Sequence, residues 1–364
     1  MAEARQEIRQ FSAAWRSFKA GATQPNFASA MIMLTVMVLC FAILTWLASA
    51  RLLAGDGHRL LMDGPLDTQT HATHQLLAAS PAEEPSILVF GSSVMVRCVK
   101  DAPTLEQLIA EQANVDAKVY NLSTDAQTTW EIEAMIDQFP AGGHGVVVLG
   151  TSYGVWMNSV SDLEKLIREP KLGFPTPTID AAARAEGISV PFRTGVFGLD
   201  ASKYFLAHRK AVAKNLIYGG LEYGDPLDAY WMQIVNNQSF WDKEIAQLPD
   251  LVAQVETNLD ANIETVRRTI RSIKQKGDYS IVLYEAPIHP GWFEVDGGDA
   301  FFSNIRRALQ NLADDEGVVF AAARDQVPFE AKDFVDFEGH LGNDEIRMAC
   351  TRDVAETIAE ELVL

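Results

Sequence analysis

Residues 87–99 read ILVFGSSVMVRCV. An apolar run meets Gly91-Ser92-Ser93 and then resumes as a second apolar stretch. A short apolar run that stops at small residues reads as a buried strand feeding a helix. Two readings of the serines follow. They cap the helix that begins near residue 94, a position that suits serine. Alternatively, one of them is a nucleophile held at the mouth of a sheet.

The pattern recurs along the chain. SILVFG (86–91), AKVYNLS (117–123), GVVVLGT (145–151), YSIVLYEAP (279–287) and GVVFAAA (317–323) read as strands. Helical patterns fill 94–113, about 127–138, 250–276, 299–314 and 343–362. Short apolar strands alternating with helices predict an α/β domain with a doubly wound, parallel, five-stranded sheet covered on both faces. Segment 155–248 breaks the rhythm and is expected to be a helical insertion. It is either a cap near the carboxyl ends of the strands or a structural elaboration. Residues 51–85 lack a clear period and are expected to be a linker carrying a short series of helical turns. The α/β domain is thus expected over 86–364.

The chain has 364 residues and a net charge of −19. Nucleic acid is an unsuitable partner, because phosphate binding needs a basic footprint. The charge is unevenly spread. Residues 1–50 hold four basic residues against Glu3 and Glu7, a net of +2, which leaves −21 for the remainder. Residues 28–50, ASAMIMLTVMVLCFAILTWLASA, contain no charge. About 20 apolar residues suffice for a helix to cross a bilayer. The segment is expected to be a transmembrane anchor, with a cleaved signal peptide as the rival reading. Basic residues before it and acidic bulk after it place the N-terminus in the cytoplasm and the domain outside. Ile8, Phe11, Trp15 and Phe18 recur at helical spacing within residues 1–27. They read as a cytoplasmic amphipathic helix on the membrane face, or else as part of a disordered tail.

Ligands of open parallel sheets bind beyond the carboxyl ends of the strands. There the sequence offers Gly91-Ser92-Ser93, then Asn121 to Thr128, then Gly150-Thr151-Ser152, then His289, and finally Asp333, Asp336 and His340. A serine, a histidine and an acid from distant segments satisfy what a Ser-His-Asp set requires, because geometry and not sequence order defines it. No metal-ligand spacing and no phosphate loop appears, and no cofactor is expected. Cys98 and Cys350 are either a disulfide or two buried thiols; they fall together if the first and last helices of the sheet cover one face.

These turns resemble the four blocks of the SGNH/GDSL hydrolases, over about 86–155 and 278–364. The resemblance implies a flavodoxin-like sheet, with Ser93 as nucleophile, His340 as base and Asp336 as its acid, Asp333 competing for the last role. It implies an oxyanion hole from the N–H groups of Ser93 and Ala126, with Asp125 as the alternative to Ala126, and from the Ser152 hydroxyl. Ser92 stands where the family has aspartate, Ser152 where it has asparagine, and Asp336 precedes His340 by four residues instead of three. Membrane-anchored relatives, those of envelope polysaccharide O-acetylation and lipoteichoic-acid D-alanylation, suggest a single-pass bacterial inner-membrane protein with a periplasmic domain. Its expected chemistry is ester hydrolysis or acyl transfer on a cell-envelope glycan or lipid, beside a membrane-bound O-acyltransferase. The alternative is a catalytically degenerate subunit that binds a polymer or a partner membrane protein.

Overall fold

The structure is a computed structural model that describes residues 27–47, 49–80, 84–224 and 238–363. The amphipathic helix expected before residue 27 lies outside the described residues, as do 225–237 of the insertion. The chain divides into two compact units, Met1–Ser49 and Ala50–Leu364.

In the first unit, Phe27–Leu47 is a 21-residue helix without a charged residue. The expected span 28–50 is not one helix: this helix stops at Leu47 and another starts at Ala50. Among the described residues no helix is long and apolar enough to cross a membrane. The side chains of 27–29 and 43–47 are outside that description.

The second unit is an α/β domain around five parallel strands: β1 (Ser86–Phe90), β2 (Lys118–Asn121), β3 (His144–Thr151), β4 (Asp278–Glu285) and β5 (Val319–Ala322). Their order is β2-β1-β3-β4-β5. Successive side chains of a strand point to opposite faces, and the core divides accordingly. Leu88, Phe90, Val147, Leu149, Ile281 and Leu283 pack on one face with the helices Thr129–Gln138 and Gly298–Glu316. Ile87, Val89, Val146, Val148, Val282 and Tyr284 pack on the other with Ala102–Ala113 and Asp344–Val363. Both faces are therefore covered, which explains why the central strands are almost continuously apolar.

The last helix and the helix Ser93–Cys98 lie on the same face, and Cys98 and Cys350 form a disulfide with a Cα–Cα distance of 5.3 Å. Arg347, fully buried, donates from Nε to the Arg97 carbonyl (2.9 Å) and from Nη2 to the Lys100 carbonyl (3.1 Å). The end of the short helix is thus held by both a covalent and a polar tie.

Three expectations change. The helical pattern over 94–113 is two helices, Ser93–Cys98 and Ala102–Ala113. Asp101 caps the second by accepting from the Thr104 N–H at 2.7 Å, and Pro103 occupies its first turn. The helix expected from 250 starts at Gln238 and runs through Pro249 to Lys276. Most of the stretch read as a linker is folded into the domain. It forms the helices Ala50–Ala54, His58–Leu61 and Thr68–Ala78, and it buries Leu53, Leu61, Met62, Ala72 and Leu76.

Candidate active site

Strand β1 ends at Phe90, and Gly91 turns the chain with φ = +150°. A Cβ on Gly91 would meet Met95 Cγ at 2.4 Å, and one on Gly150 would meet the same atom at 2.2 Å. Glycine is therefore required at both strand ends, because the Met95 side chain lies across them. Ser92 is the N-cap residue of the helix Ser93–Cys98, yet its side chain makes no capping bond. Its hydroxyl is instead 3.0 Å from Ser152 Oγ, at the end of β3. The capping explanation of the serine pair therefore does not account for either hydroxyl.

Ser93 opens the helix, so its N–H belongs to the first turn, which has no intrahelical acceptor. Its Oγ is 2.7 Å from His340 Nε2. His340 Nδ1 is 2.6 Å from Asp336 Oδ2. A carboxylate only accepts, so Nδ1 carries the proton there and Nε2 is left with a lone pair facing the serine O–H. Asp336 Oδ1 in turn accepts from the backbone N–H groups of Glu338 (3.0 Å) and His340 (3.3 Å). His340 is buried and Asp336 is half-buried beside it.

Asp333, the competing acid, is used elsewhere. Its Oδ2 accepts the N–H of Glu330 at 2.8 Å and closes the turn Ala331–Asp333. His289 is also a turn residue: Nδ1 accepts the Gly291 N–H at 3.0 Å. Burial pulls its pKa down to about 4, against a smaller upward pull from Asp336. Trp292 Nε1 donates to the Phe337 carbonyl at 2.7 Å, so the turn after β4 braces the loop that carries Asp336.

The turn after β2 is stitched to the first one. Thr124 N–H donates to the Gly91 carbonyl (3.0 Å), and Gly91 N–H donates to Gln127 Oε1 (2.8 Å). Gln127 Nε2 donates to the Leu122 carbonyl at 2.7 Å. Within this turn Ala126 has φ = +47°, a left-handed conformation that favours glycine. Lys171 from the insertion holds its carbonyl at 2.8 Å. Gln69 Nε2 donates to the Asp125 carbonyl at 3.1 Å, and Thr68 Oγ1 accepts the Asp125 N–H at 3.0 Å. The C=O of one residue and the N–H of the next point oppositely across a trans peptide. The grip of Gln69 on Asp125 therefore sets the direction of the Ala126 N–H.

Ser92, Ser93, Ala126, Ser152, Tyr153 and Glu338 line one cleft of about 230 Å³. Of the site residues expected from sequence, Ser93, Ala126 and Ser152 line this cleft, and His340 and Asp336 join it in a hydrogen-bonded line through Ser93. Glu338 Oε2 is 4.0 Å from His340 Nδ1. Burial raises the Tyr153 hydroxyl pKa, and Glu338, Glu244 and Asp336 raise it further, so the phenol stays neutral. Burial also raises the Glu244 carboxyl, with Glu338 adding to it. Asp125 is raised by burial against the opposing pull of His340. Gln69, Gln127 and Lys171 escape sequence reasoning, since a lone polar residue in a turn or helix carries no motif.

The cleft can deprotonate a hydroxyl, hold a carbonyl beside it and protonate a leaving group. No protein-family model matches the chain, and no curated protein matches it either.

Proposed function

We propose that the chain is a membrane-anchored serine esterase or O-acyltransferase of the SGNH type, acting on acyl esters of a cell-envelope glycan or lipid. The observation that carries this reading is the hydrogen-bonded line Ser93–His340–Asp336, drawn from two ends of the chain to one edge of the sheet. The strand order β2-β1-β3-β4-β5 supports the reading of a flavodoxin-like sheet expected of the family. Periplasmic placement is supported by the uncharged helix Phe27–Leu47, by the basic residues ahead of it and by the acidic bulk after it. The Cys98–Cys350 disulfide agrees with an oxidising compartment.

In the first half-reaction Ser93 Oγ attacks the ester carbonyl while His340 Nε2 takes its proton. Asp336 holds the Nδ1–H and stabilises the imidazolium. The N–H groups of Ser93 and Ala126 and the Ser152 hydroxyl face the developing oxyanion. Collapse breaks the bond to the leaving alkoxide, which leaves with the proton from His340. Ser93 then carries the acyl group. In the second half-reaction His340 deprotonates water or a sugar hydroxyl, which attacks the acyl-serine carbonyl. Ser93 leaves and recovers the proton. Water gives hydrolysis and the sugar hydroxyl gives transfer.

A fluorophosphonate probe tests the reading. Full-length protein in detergent is expected to take one label at Ser93, located by peptide mass spectrometry, and Ser93→Ala is expected to take none. Folded protein that stays unlabelled overturns the enzymatic reading and favours a subunit that only binds a polymer or partner.

A further inference from the structure

Val94, Val155 and Met157 give the cleft beside Ser93 an apolar stretch. Its two amide side chains are committed to the protein. Gln127 bonds within the strand-end turns. Asn158 accepts the Thr129 N–H on Oδ1 (3.3 Å) and donates from Nδ2 to the Gly154 carbonyl (3.3 Å). Val155 is buried and lies on the short helix Tyr153–Trp156, directly after Ser152. Its N–H donates to the Ser152 carbonyl at 3.1 Å. One turn of backbone therefore carries both the Ser152 hydroxyl and an apolar wall of the cleft.

A second cavity, of about 10 Å³, shares Val155 with the cleft. Ile132, Leu149 and Val266 close much of it. Thr129, Thr151 and Thr269 also line it, and each of their hydroxyls donates elsewhere. The acceptors are Asn262 Oδ1 (3.1 Å), the Tyr284 carbonyl (3.2 Å) and the Thr265 carbonyl (3.0 Å) respectively. A water there would find no free hydroxyl proton, whereas a hydrocarbon group needs none. Small apolar holes stay dry and accept apolar ligands. An ester held at Ser93 turns its carbonyl oxygen to polar donors and its acyl tail to the adjoining apolar surface, because burying hydrocarbon is favourable. Val155 belongs to that surface, and the second cavity adjoins it.

We propose that Val155 is the wall that limits acyl-chain length at Ser93, so that the site takes a short acyl group and excludes longer ones from the cavity behind. The proposal rests on the serine acyl-transfer reading given above and names its acyl donor as an ester of a short-chain acid. A longer chain would have to displace the Val155 side chain, which close packing opposes. Removing the two methyl groups of Val155 joins the cleft to the second cavity and lets a longer chain enter.

The test uses full-length protein in detergent and the nitrophenyl esters of acetate, butyrate, hexanoate and octanoate. A methylene in an apolar pocket changes kcat/KM by about 10-fold or more. The unaltered protein is expected to lose about that factor between butyrate and hexanoate. Val155→Ala is expected to raise the hexanoate-to-acetate ratio of kcat/KM by roughly 10-fold. Val155→Ile, which thickens the wall, is expected to lower the butyrate-to-acetate ratio by a similar factor, and it keeps the test open if the smaller variant does not fold. Val266→Ala enlarges only the cavity behind and is expected to keep the ratios of the unaltered protein. Fluorophosphonate labelling of Ser93 reports that each variant has an intact site. Labelled variants that all keep one chain-length profile overturn the proposal alone. So does unaltered protein that cleaves octanoate as well as acetate. A shift in Val266→Ala equal to that in Val155→Ala would show the two spaces already joined and also overturns it. Unaltered protein that unfolds cooperatively yet takes no label and cleaves no ester overturns the enzymatic reading and this inference with it.

Discussion

Asp336 meets the His340 side chain at 2.6 Å and also accepts the His340 backbone N–H at 3.3 Å. The four-residue spacing therefore does not cost the acid its place, because the intervening turn folds back on the same carboxylate. Asp336→Asn keeps the shape and replaces an acceptor by an amide that can offer N–H to Nδ1. The imidazole would then favour the wrong tautomer. The acyl-transfer rate on a chromogenic ester is expected to fall by about 10⁴-fold with little change in KM. Asp333→Asn, which alters only a turn, is expected to leave the rate within about three-fold, since it touches no reacting group. Equal losses in the two variants would remove Asp336 from its assigned role.

The direction of the Ala126 N–H depends on Gln69, a residue on a helix far from the other site segments in sequence. Gln69→Leu removes the hydrogen bond to the Asp125 carbonyl. It is expected to lower kcat by about 10- to 100-fold, less than the 10²–10³ that follows loss of an oxyanion donor itself. The KM is expected to hold, because the oxyanion forms only in the transition state. Ala126→Gly relieves the left-handed backbone and is expected to stabilise the fold by up to about 1 kcal/mol, with activity retained. A Gln69→Leu variant that loses KM and not kcat would argue against this positioning.

The sheet was legible because its central strands are buried on both faces and so keep uninterrupted apolar runs. SILVF and VVVLGT show this directly. The Gly91-Ser92-Ser93 turn was legible because it directly follows the first of these runs. The break at Val99 to Ala102 was harder to read, since apolar residues continue on both sides. The Asp101 cap and Pro103 were the available signal. Residues 68–78 were misread because TQTHATHQLLA buries threonines, Thr68, Thr70 and Thr73, that a hydropathy pattern counts as polar. The helix expected from 250 begins at Gln238 and passes through Pro249. The pairing of Cys98 with Cys350 depended on two helices sharing a face, which no local pattern encodes.

The disulfide closes a separation of 252 residues. A bridge over so long a loop stabilises mainly by restricting the unfolded chain, by about 2–5 kcal/mol. Cys98→Ser with Cys350→Ser is expected to lower stability by that amount in urea unfolding. Because the bridge ends the helix that begins with Ser93, fluorophosphonate labelling is expected to be lost at a lower temperature. Intact protein isolated under non-reducing conditions should weigh two hydrogens less than the reduced chain. Full mass with two alkylatable thiols would contradict the bridge.

His71 gives the domain an acid-sensitive point outside the cleft. Its ring stacks on Tyr223 at 3.9 Å, and Nε2 lies 2.7 Å from Gln75 Nε2. Burial, followed by the neighbouring His74 and His58, pulls its pKa from 6.5 down to about 4. The folded state therefore keeps the ring neutral while the unfolded state protonates it near 6.5. Between these values the unfolded chain binds more protons, so stability rises with pH and is lost on acidification from about 6.5 toward 4. His289, also lowered to about 4, acts in the same direction. Asp353 acts oppositely: burial raises it to about 6, so the folded state binds the extra proton between 3.8 and 6. Two histidines against one aspartate leave a net loss toward acid from these three groups. His71→Phe keeps the stacking surface and removes one titration. It is expected to flatten the stability slope between pH 4.5 and 6 by up to about 1.4 kcal/mol per pH unit, one proton's worth. Chemical denaturation across that range measures it, and a slope equal to that of the unaltered protein would show that His71 titrates normally in the fold.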